Sequence, residues 1–385
     1  MKKILFISNR NIVNTCGELR LVKNRAEAIW QHSGMAMDFI AFSHKTVTKP
    51  EPILAGGTMS IVPHKPLSFR HFSDVRKLRQ VIARYLETGE YSFVVLSGTL
   101  MFSWISYIRK LDKNIPVVAD VHGACEELIE FPGKSAVMTL ARKAYYVLDK
   151  YIERKYLKQF DHVMAVSGGL SQYLQEQYGL EEQKIHIIPC AVPAEPLDRE
   201  KLMQDRLATR QKYGIGENEK LFIYSGGVSQ WQCVDETVAV FRMISEKIPG
   251  CKLLLLSGDL DKISQYKADN ILVDSLAADQ VPVTLPGGDF AFLLRKACTT
   301  NYVAYPNKFL EYVKAGLQVI TTPHVEEIRA EMEQYGLGYV LSDAAFEEGL
   351  ADFCKQEQSY LQDSDKRQAL IEDVSFERRT RFFYE

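Results

Sequence analysis

The chain has 385 residues with a formal net charge of −2, and 46% of its residues are hydrophobic and 25% charged. That length exceeds what one hydrophobic core usually serves, roughly 250 to 300 residues, so two domains are expected. The balance of apolar and charged residues excludes a disordered chain and a bundle of membrane helices.

The charge is unevenly placed. Residues 1–195 hold 25 Lys and Arg against 19 Asp and Glu, whereas the remainder holds 22 against 30. Much of the basic charge falls in Lys65 to Arg84 and Lys134 to Lys158. These segments read first as solvated helix faces, and alternatively as a surface for peripheral membrane contact or another anionic partner; nucleic acid is not expected. Seven cysteines form no CxxC pair and no Cys/His cluster with metal spacing, so a reducing, cytoplasmic compartment is expected and no metal site is.

Taken in order, the chain opens with MKKILFIS, whose apolar run ends after four residues. It is too short for a signal peptide and reads as a first strand, Ile4 to Ser8. Further strands are expected at Met37 to Phe42, Met59 to Pro63, Phe93 to Leu96, Val117 to Val121, Val163 to Val166 and Ile185 to Ile188. Helices are expected between them at Glu18 to His32, Asp74 to Leu86, Phe102 to Lys110, Ser135 to Lys158 and Leu170 to Tyr178. Tyr91 to Ile108 carries no charge, but Ser97-Gly98-Thr99 interrupts it, so it reads as strand, turn and buried helix rather than a membrane span.

From Pro193 the pattern lapses, and residues 193–218 read as a linker, although Arg199 to Lys212 could itself be a helix. A second strand and helix series follows, with strands at Leu221 to Ser225, Lys252 to Leu256, Ile271 to Val273, Phe290 to Leu294, Val319 to Thr321 and Tyr339 to Leu341. Continuous apolar strands separated by helices indicate parallel sheets covered on both faces. The fold class is therefore α/β, two doubly wound Rossmann-like domains facing across a cleft. The boundaries are 1–192, 219–374, and a C-terminal helix, 375–385, that packs back on the first domain.

Several residues at the carboxyl ends of these strands could carry chemistry. Ser225-Gly226-Gly227 ends a strand, where glycines leave backbone N–H groups open to phosphate oxygens. The equivalent place in the first domain, Ser8-Asn9-Arg10-Asn11 with Gly17 beyond, has no GxGxxG, which argues against a dinucleotide fold and is compatible with an acceptor loop. His122 follows a strand end beside Asp120 and should project as a ligand contact; Asp120 is read as a cleft residue, loop anchor or helix cap. Ser167 also lies at a carboxyl edge. Lys308 and Glu311 are three residues apart on one helical face, and with Arg295 they suit a nucleoside diphosphate. Two cations can neutralise a departing phosphate, and a carboxylate can accept both ribose hydroxyls.

Three segments, DVHG at 120–123, DHVMAVSGGLSQYL with KIHIIPCAV across 161–192, and PNKFLEYVKAGLQVITTP at 306–323, resemble glycosyltransferase family 4 of the GT-B fold. The resemblance runs from about residue 115 to the C-terminus. It implies a retaining, metal-independent hexosyltransferase without a resident cofactor. Such an enzyme moves a sugar from a nucleoside diphosphate donor, with UDP favoured, to a glycan or lipid-linked acceptor, in bacterial surface polysaccharide or glycoconjugate synthesis. Glu311 would hold the ribose, Gly226 and Gly227 the diphosphate, and His122 the transferred sugar. Asn301 and Asn307 complete the expected donor side. Two departures stand out. Val303 occupies a place where many members have Glu, and Ser229-Gln230-Trp231-Gln232 replaces the usual Arg/Lys pair, so the phosphate-clamping role passes to Arg295 and Lys308. The alternatives are a hydrolysing nucleotide-sugar 2-epimerase on the same fold and a non-catalytic sugar-binding partner.

Overall fold

A computed structural model describes residues 2–11, 17–43, 56–63, 71–131, 133, 135–190, 195–341, 346–355 and 363–385. The chain divides into two compact units, Met1–Pro193 with Val374–Glu385, and Ala194–Asp373.

The first unit is built on a seven-stranded sheet in the order β3-β2-β1-β4-β5-β6-β7. Its strands are β1 (Lys3–Asn11), β2 (Ala36–Ser43), β3 (Met59–Pro63), β4 (Tyr91–Ser97), β5 (Val117–Val121), β6 (His162–Ala165) and β7 (Ile185–Ile187). Every pairing is parallel. The central strands are apolar on both faces, as Val117–Val121 shows by being buried at every position, because helices cover both sides. The uncharged stretch after Tyr91 resolves into β4, a 3-10 segment (Thr99–Trp104) and a short helix (Ile105–Leu111). Among the described residues no helix is long and apolar enough to cross a membrane.

The second unit holds a six-stranded parallel sheet in the order β10-β9-β8-β11-β12-β13. Its strands are β8 (Lys220–Ser225), β9 (Cys251–Leu256), β10 (Ile271–Asp274), β11 (Phe290–Leu293), β12 (Gln318–Thr321) and β13 (Gly338–Val340). Phe222 stacks on Phe290 at 4.8 Å and on Phe292 at 5.6 Å, joining β8 and β11 through one aromatic layer. In each unit the strand order reverses beside the first strand, between β1 and β4 and between β8 and β11. Such a reversal opens a crevice beyond the carboxyl ends of the strands, where doubly wound folds bind ligands.

The stretch read as a linker, 193–218, is mostly structured. Arg199–Lys212 forms a helix capped by Asp198, whose carboxylate accepts the Lys201 N–H. Arg206 and Arg210, one turn apart, both reach Asp289 at the start of β11, at 2.5 and 3.3 Å. That shared carboxylate makes the helix part of the second unit. At the other end, Phe382 stacks on His186 at 4.0 Å, and Phe383 meets Phe93 edge-on at 5.2 Å, which places the last residues on the first sheet.

Candidate functional site

The carboxyl end of β8 in the second unit is shaped by two tyrosines. The Tyr312 hydroxyl accepts the Ser225 N–H at 3.0 Å, and the Tyr224 hydroxyl donates to the Gly227 carbonyl at 2.5 Å. Burial pushes both phenols well up, so they stay neutral donors. Between them Gly226 adopts φ 150°, a backbone that side chains rarely tolerate. A Cβ on Gly226 would also meet Lys308 Nζ at 1.6 Å. The glycine therefore gives the loop its path and leaves room for the amine. The next segment is unusual as well: Cys233 has φ 53°, the one non-glycine residue with positive φ among the described residues, and it starts the helix Val234–Lys247.

Lys308 enters this space from the first turn of the helix Asn307–Lys314. Its amine donates to Gln232 Oε1 at 2.5 Å, and the Tyr224 hydroxyl lies 2.8 Å from the same oxygen. The amine also sits 5.2 Å from the centre of the Tyr224 ring. Burial and then the Arg295 charge depress Lys308 to about 7, against a smaller opposing pull from Glu311. Arg295, two residues beyond the end of β11, is buried. Its guanidinium donates to the Leu294 carbonyl at 2.8 Å, and its backbone exchanges hydrogen bonds with Thr322. Burial lowers its pKa too, with Tyr224, Tyr312 and Cys233 opposing.

Among the described residues neither Arg295 nor Lys308 forms an ion pair with a carboxylate. Burial disfavours the charge on both groups, and Arg295 further disfavours it on Lys308, an environment beside the glycine turn that a neighbouring anion would relieve. The helix carrying Lys308 and Glu311 is fixed from its far end. There Arg367, fully buried, donates to the Val313 and Leu317 carbonyls at 3.3 and 2.8 Å.

The loop before that helix departs from expectation. Asn301, expected on the donor side, is buried and donates its amide to the Lys296 carbonyl at 2.9 Å, so it braces its own loop. Val303, where an acid is common in the resembled family, is buried and apolar. Asn307 is the first residue of the helix, behind Pro306, and is half-buried.

In the first unit β5 delivers Asp120 and then His122. Asp120 is fully buried between Arg25, 3.1 Å away, and His122 Nε2, 2.8 Å away. Burial alone would raise the Asp120 pKa, but His122 and Arg25 outweigh it and hold the carboxyl well below its usual range. Asp120 therefore fixes the orientation of the imidazole, to which Ser97 Oγ also comes within 3.3 Å. Arg25 rises from the helix Gly17–Ser33, and its Nε and Nη2 are buried without hydrogen-bond partners among the described residues.

Asn9 lies across the β1/β4 reversal, with Oδ1 buried and unpaired among the described residues, where a Cβ on Gly98 would lie 2.5 Å from it. Ser167 is not an open cleft residue. It is fully buried and caps the helix Gly168–Tyr178 by accepting the Leu170 N–H at 2.9 Å. Gly17 begins its helix, and Arg10 lies in β1 with its side chain outside the described residues, as residues 12–16 are entirely.

The structure thus brings Gly226, Gly227, Lys308 and Arg295 together, with Glu311 on the same helix as Lys308. It separately joins Asp120 to His122. Sequence reasoning missed Gln232, Tyr224, Tyr312 and Arg25. Of these, only Gln232 had a signal, its place in the segment that replaces the expected Arg/Lys pair.

Residues 21–196 match the family model described as Glycosyltransferase Family 4. No curated protein matches the sequence. Among solved structures, HepE from Anabaena in complex with UDP and glucose is similar at 12% identity and a TM-score of 0.67, over 98% of this chain and 96% of that one. A glycosyltransferase from Rickettsia africae is similar at 16% identity and a TM-score of 0.69, over 100% and 97%. The lipopolysaccharide outer core galactosyltransferase WaaB, in its apo form, is similar at 14% identity and a TM-score of 0.65, over 99% and 98%. The chain therefore has the GT-B fold, and residues 21–196 are similar to Glycosyltransferase Family 4.

Proposed function

We propose that the protein is a glycosyltransferase that takes a sugar from a nucleoside diphosphate donor and moves it to a hydroxyl of a glycan or lipid-linked acceptor. The observation that carries this reading is the pair of cations, Arg295 and Lys308, with no carboxylate ion pair among the described residues, beside the Gly226-Gly227 turn. A diphosphate supplies the missing negative charge, and charge that grows on the leaving phosphate strengthens the same contacts, which lowers the barrier. Glu311, one turn along the helix from Lys308, is assigned to the ribose hydroxyls. His122, oriented by Asp120, is assigned to the transferred sugar.

UDP is the favoured donor base, in keeping with the UDP found in the similar HepE structure. Retention at the anomeric carbon, independence of metal, and a place in bacterial surface polysaccharide or glycoconjugate synthesis belong to the proposal through the family resemblance. The test is calorimetric titration with UDP, GDP, ADP and CMP and their sugars, with and without EDTA. Saturable binding of one diphosphate and its sugar, unchanged by EDTA, supports the reading. Failure of every nucleotide overturns it. Interconversion of UDP-N-acetylglucosamine without an acceptor would point instead to the epimerase.

A further inference from the structure

The helix Ala136–Tyr156 of the first unit is amphipathic in the inverse sense. Its inner face is charged. Glu153 is 2% exposed, and Lys150 is buried with its amine 2.7 Å from Glu126 and 3.0 Å from the Tyr178 hydroxyl. Tyr173 donates to Glu126 at 2.5 Å, while Arg142 donates to the Glu127 and Leu128 carbonyls. These contacts fix which face of the helix points inward.

The outward face is apolar. Val137 is 78% exposed, Leu140 70%, Val147 67% and Tyr151 56%. Their spacing places them on one stripe running the length of the 21-residue helix, about 30 Å. A helix at a solvated surface carries the opposite arrangement, with its apolar stripe toward the core. The charged groups on the outward side are Lys143, Arg154 and Lys155, and no exposed residue of this helix is acidic. Ile129, on the short helix Glu127–Glu130 that packs against it, is exposed as well.

We propose that this face docks on an anionic lipid surface. The apolar stripe enters the boundary between headgroups and acyl chains, and Lys143, Arg154 and Lys155 meet lipid phosphates. An apolar stripe whose exposed charged neighbours on the same helix are all cations has the chemistry of an interfacial helix, because water solvates the first poorly and an anionic headgroup layer attracts the second. A second copy of this chain would have to bring another row of cations against this one, which disfavours that occupant. The inference extends the proposed transfer reading by favouring a lipid-linked acceptor, but the docking itself does not depend on a donor.

The test is cosedimentation of the full chain with sucrose-loaded vesicles, without nucleotide. One set is phosphatidylcholine alone, and the other contains about one-third phosphatidylglycerol. Binding to the anionic set that weakens with salt is expected. Leu140→Gln with Val147→Gln should lower it at least tenfold, and Lys143→Gln, Arg154→Gln and Lys155→Gln together about 100-fold. All five side chains are exposed, so circular dichroism and the melting temperature should not change. As an independent readout, a fluorophore on Val147→Cys should shift its emission to the blue on anionic vesicles only. No binding to the anionic set, or binding that survives the double substitution, overturns the proposal. So does a dimer in sedimentation equilibrium that the double substitution dissolves while vesicles have no effect, since a second copy would then cover this face. Nucleotide binding is measured separately, so failure here leaves the donor site untouched, and the converse holds.

Discussion

Replacing Lys308 with Met tests the reading of the cation pair through both stability and chemistry. The amine ionises at about 7 instead of the ordinary 10.5, through burial first and Arg295 second. At about 1.4 kcal/mol per pKa unit this is at most roughly 5 kcal/mol against the charged form, and partial exposure of the side chain reduces it to a few. Because the folded pKa is the lower one, the cost is full below about pH 7 and fades as pH rises toward 10.5. Lys308→Met removes the charge and keeps an apolar stem against Tyr224. The unliganded variant should therefore melt higher by about 5 °C at pH 6.5, while donor turnover falls about 100-fold. Wild-type protein should take up close to one proton on binding UDP at pH 8, measured by calorimetry in buffers of different ionisation enthalpy, and the variant should take up none. A variant that melts lower, or one that keeps the proton uptake, would refute the reasoning.

Three further perturbations probe the rest of the account. Asp120→Asn leaves the buried Arg25 guanidinium without its counter-charge and should destabilise the protein by about 3–5 kcal/mol in urea unfolding; a change below 1 kcal/mol would mean that Arg25 finds another partner. Gly226→Ala forces a Cβ against the Lys308 amine from a backbone that resists it, so UDP affinity should drop at least tenfold in calorimetry. Burial lowers the pKa of both His162 and His186, the latter to about 4 with a further contribution from His162, and Phe382 stacks on His186. Since the fold favours the neutral rings, stability should hold above about pH 6.5 and decline as pH falls from there toward 4. His186→Phe should flatten that decline in thermal melts, and an unchanged slope would rule out this pair as its origin.

Much of the fold is legible in the sequence because buried parallel strands are continuous apolar runs. Val117 to Val121 and the segments around Phe222 and Phe290 stand out from their charged neighbours without any knowledge of partners. The helix Arg199–Lys212 is harder to place, because its hold on the second unit rests on Arg206 and Asp289, 83 residues apart. The same distinction runs through the candidate site. Lys308 and Glu311 share a helical face by spacing alone, and the glycine pair follows a recognisable strand. Tyr312 reaches across 87 residues to Ser225, and Arg25 across 95 to Asp120, contacts that local pattern does not encode. Asn301 and Ser167 looked available only because their backbone partners, Lys296 and Leu170, become visible once the chain is folded.

The outward face of Ala136–Tyr156 illustrates a different difficulty. Periodicity shows that its apolar residues form a stripe, but not which way the stripe points. The direction comes from the Glu126, Lys150, Glu153 and Tyr178 network, assembled from two helices and the residue that precedes a third. With the polar side committed inward, the basic segment Lys134 to Lys158 is no longer described by a solvated face alone.

The most direct test of the central claim is calorimetric titration of wild type and Glu311→Ala with UDP and, separately, with inorganic pyrophosphate. If Arg295, Lys308 and the glycine turn hold the diphosphate while Glu311 holds the ribose, both ligands bind wild type. The substitution should then weaken UDP at least tenfold and leave pyrophosphate within about twofold. Equal loss for both ligands, or no saturable binding of UDP to wild type, would contradict the account.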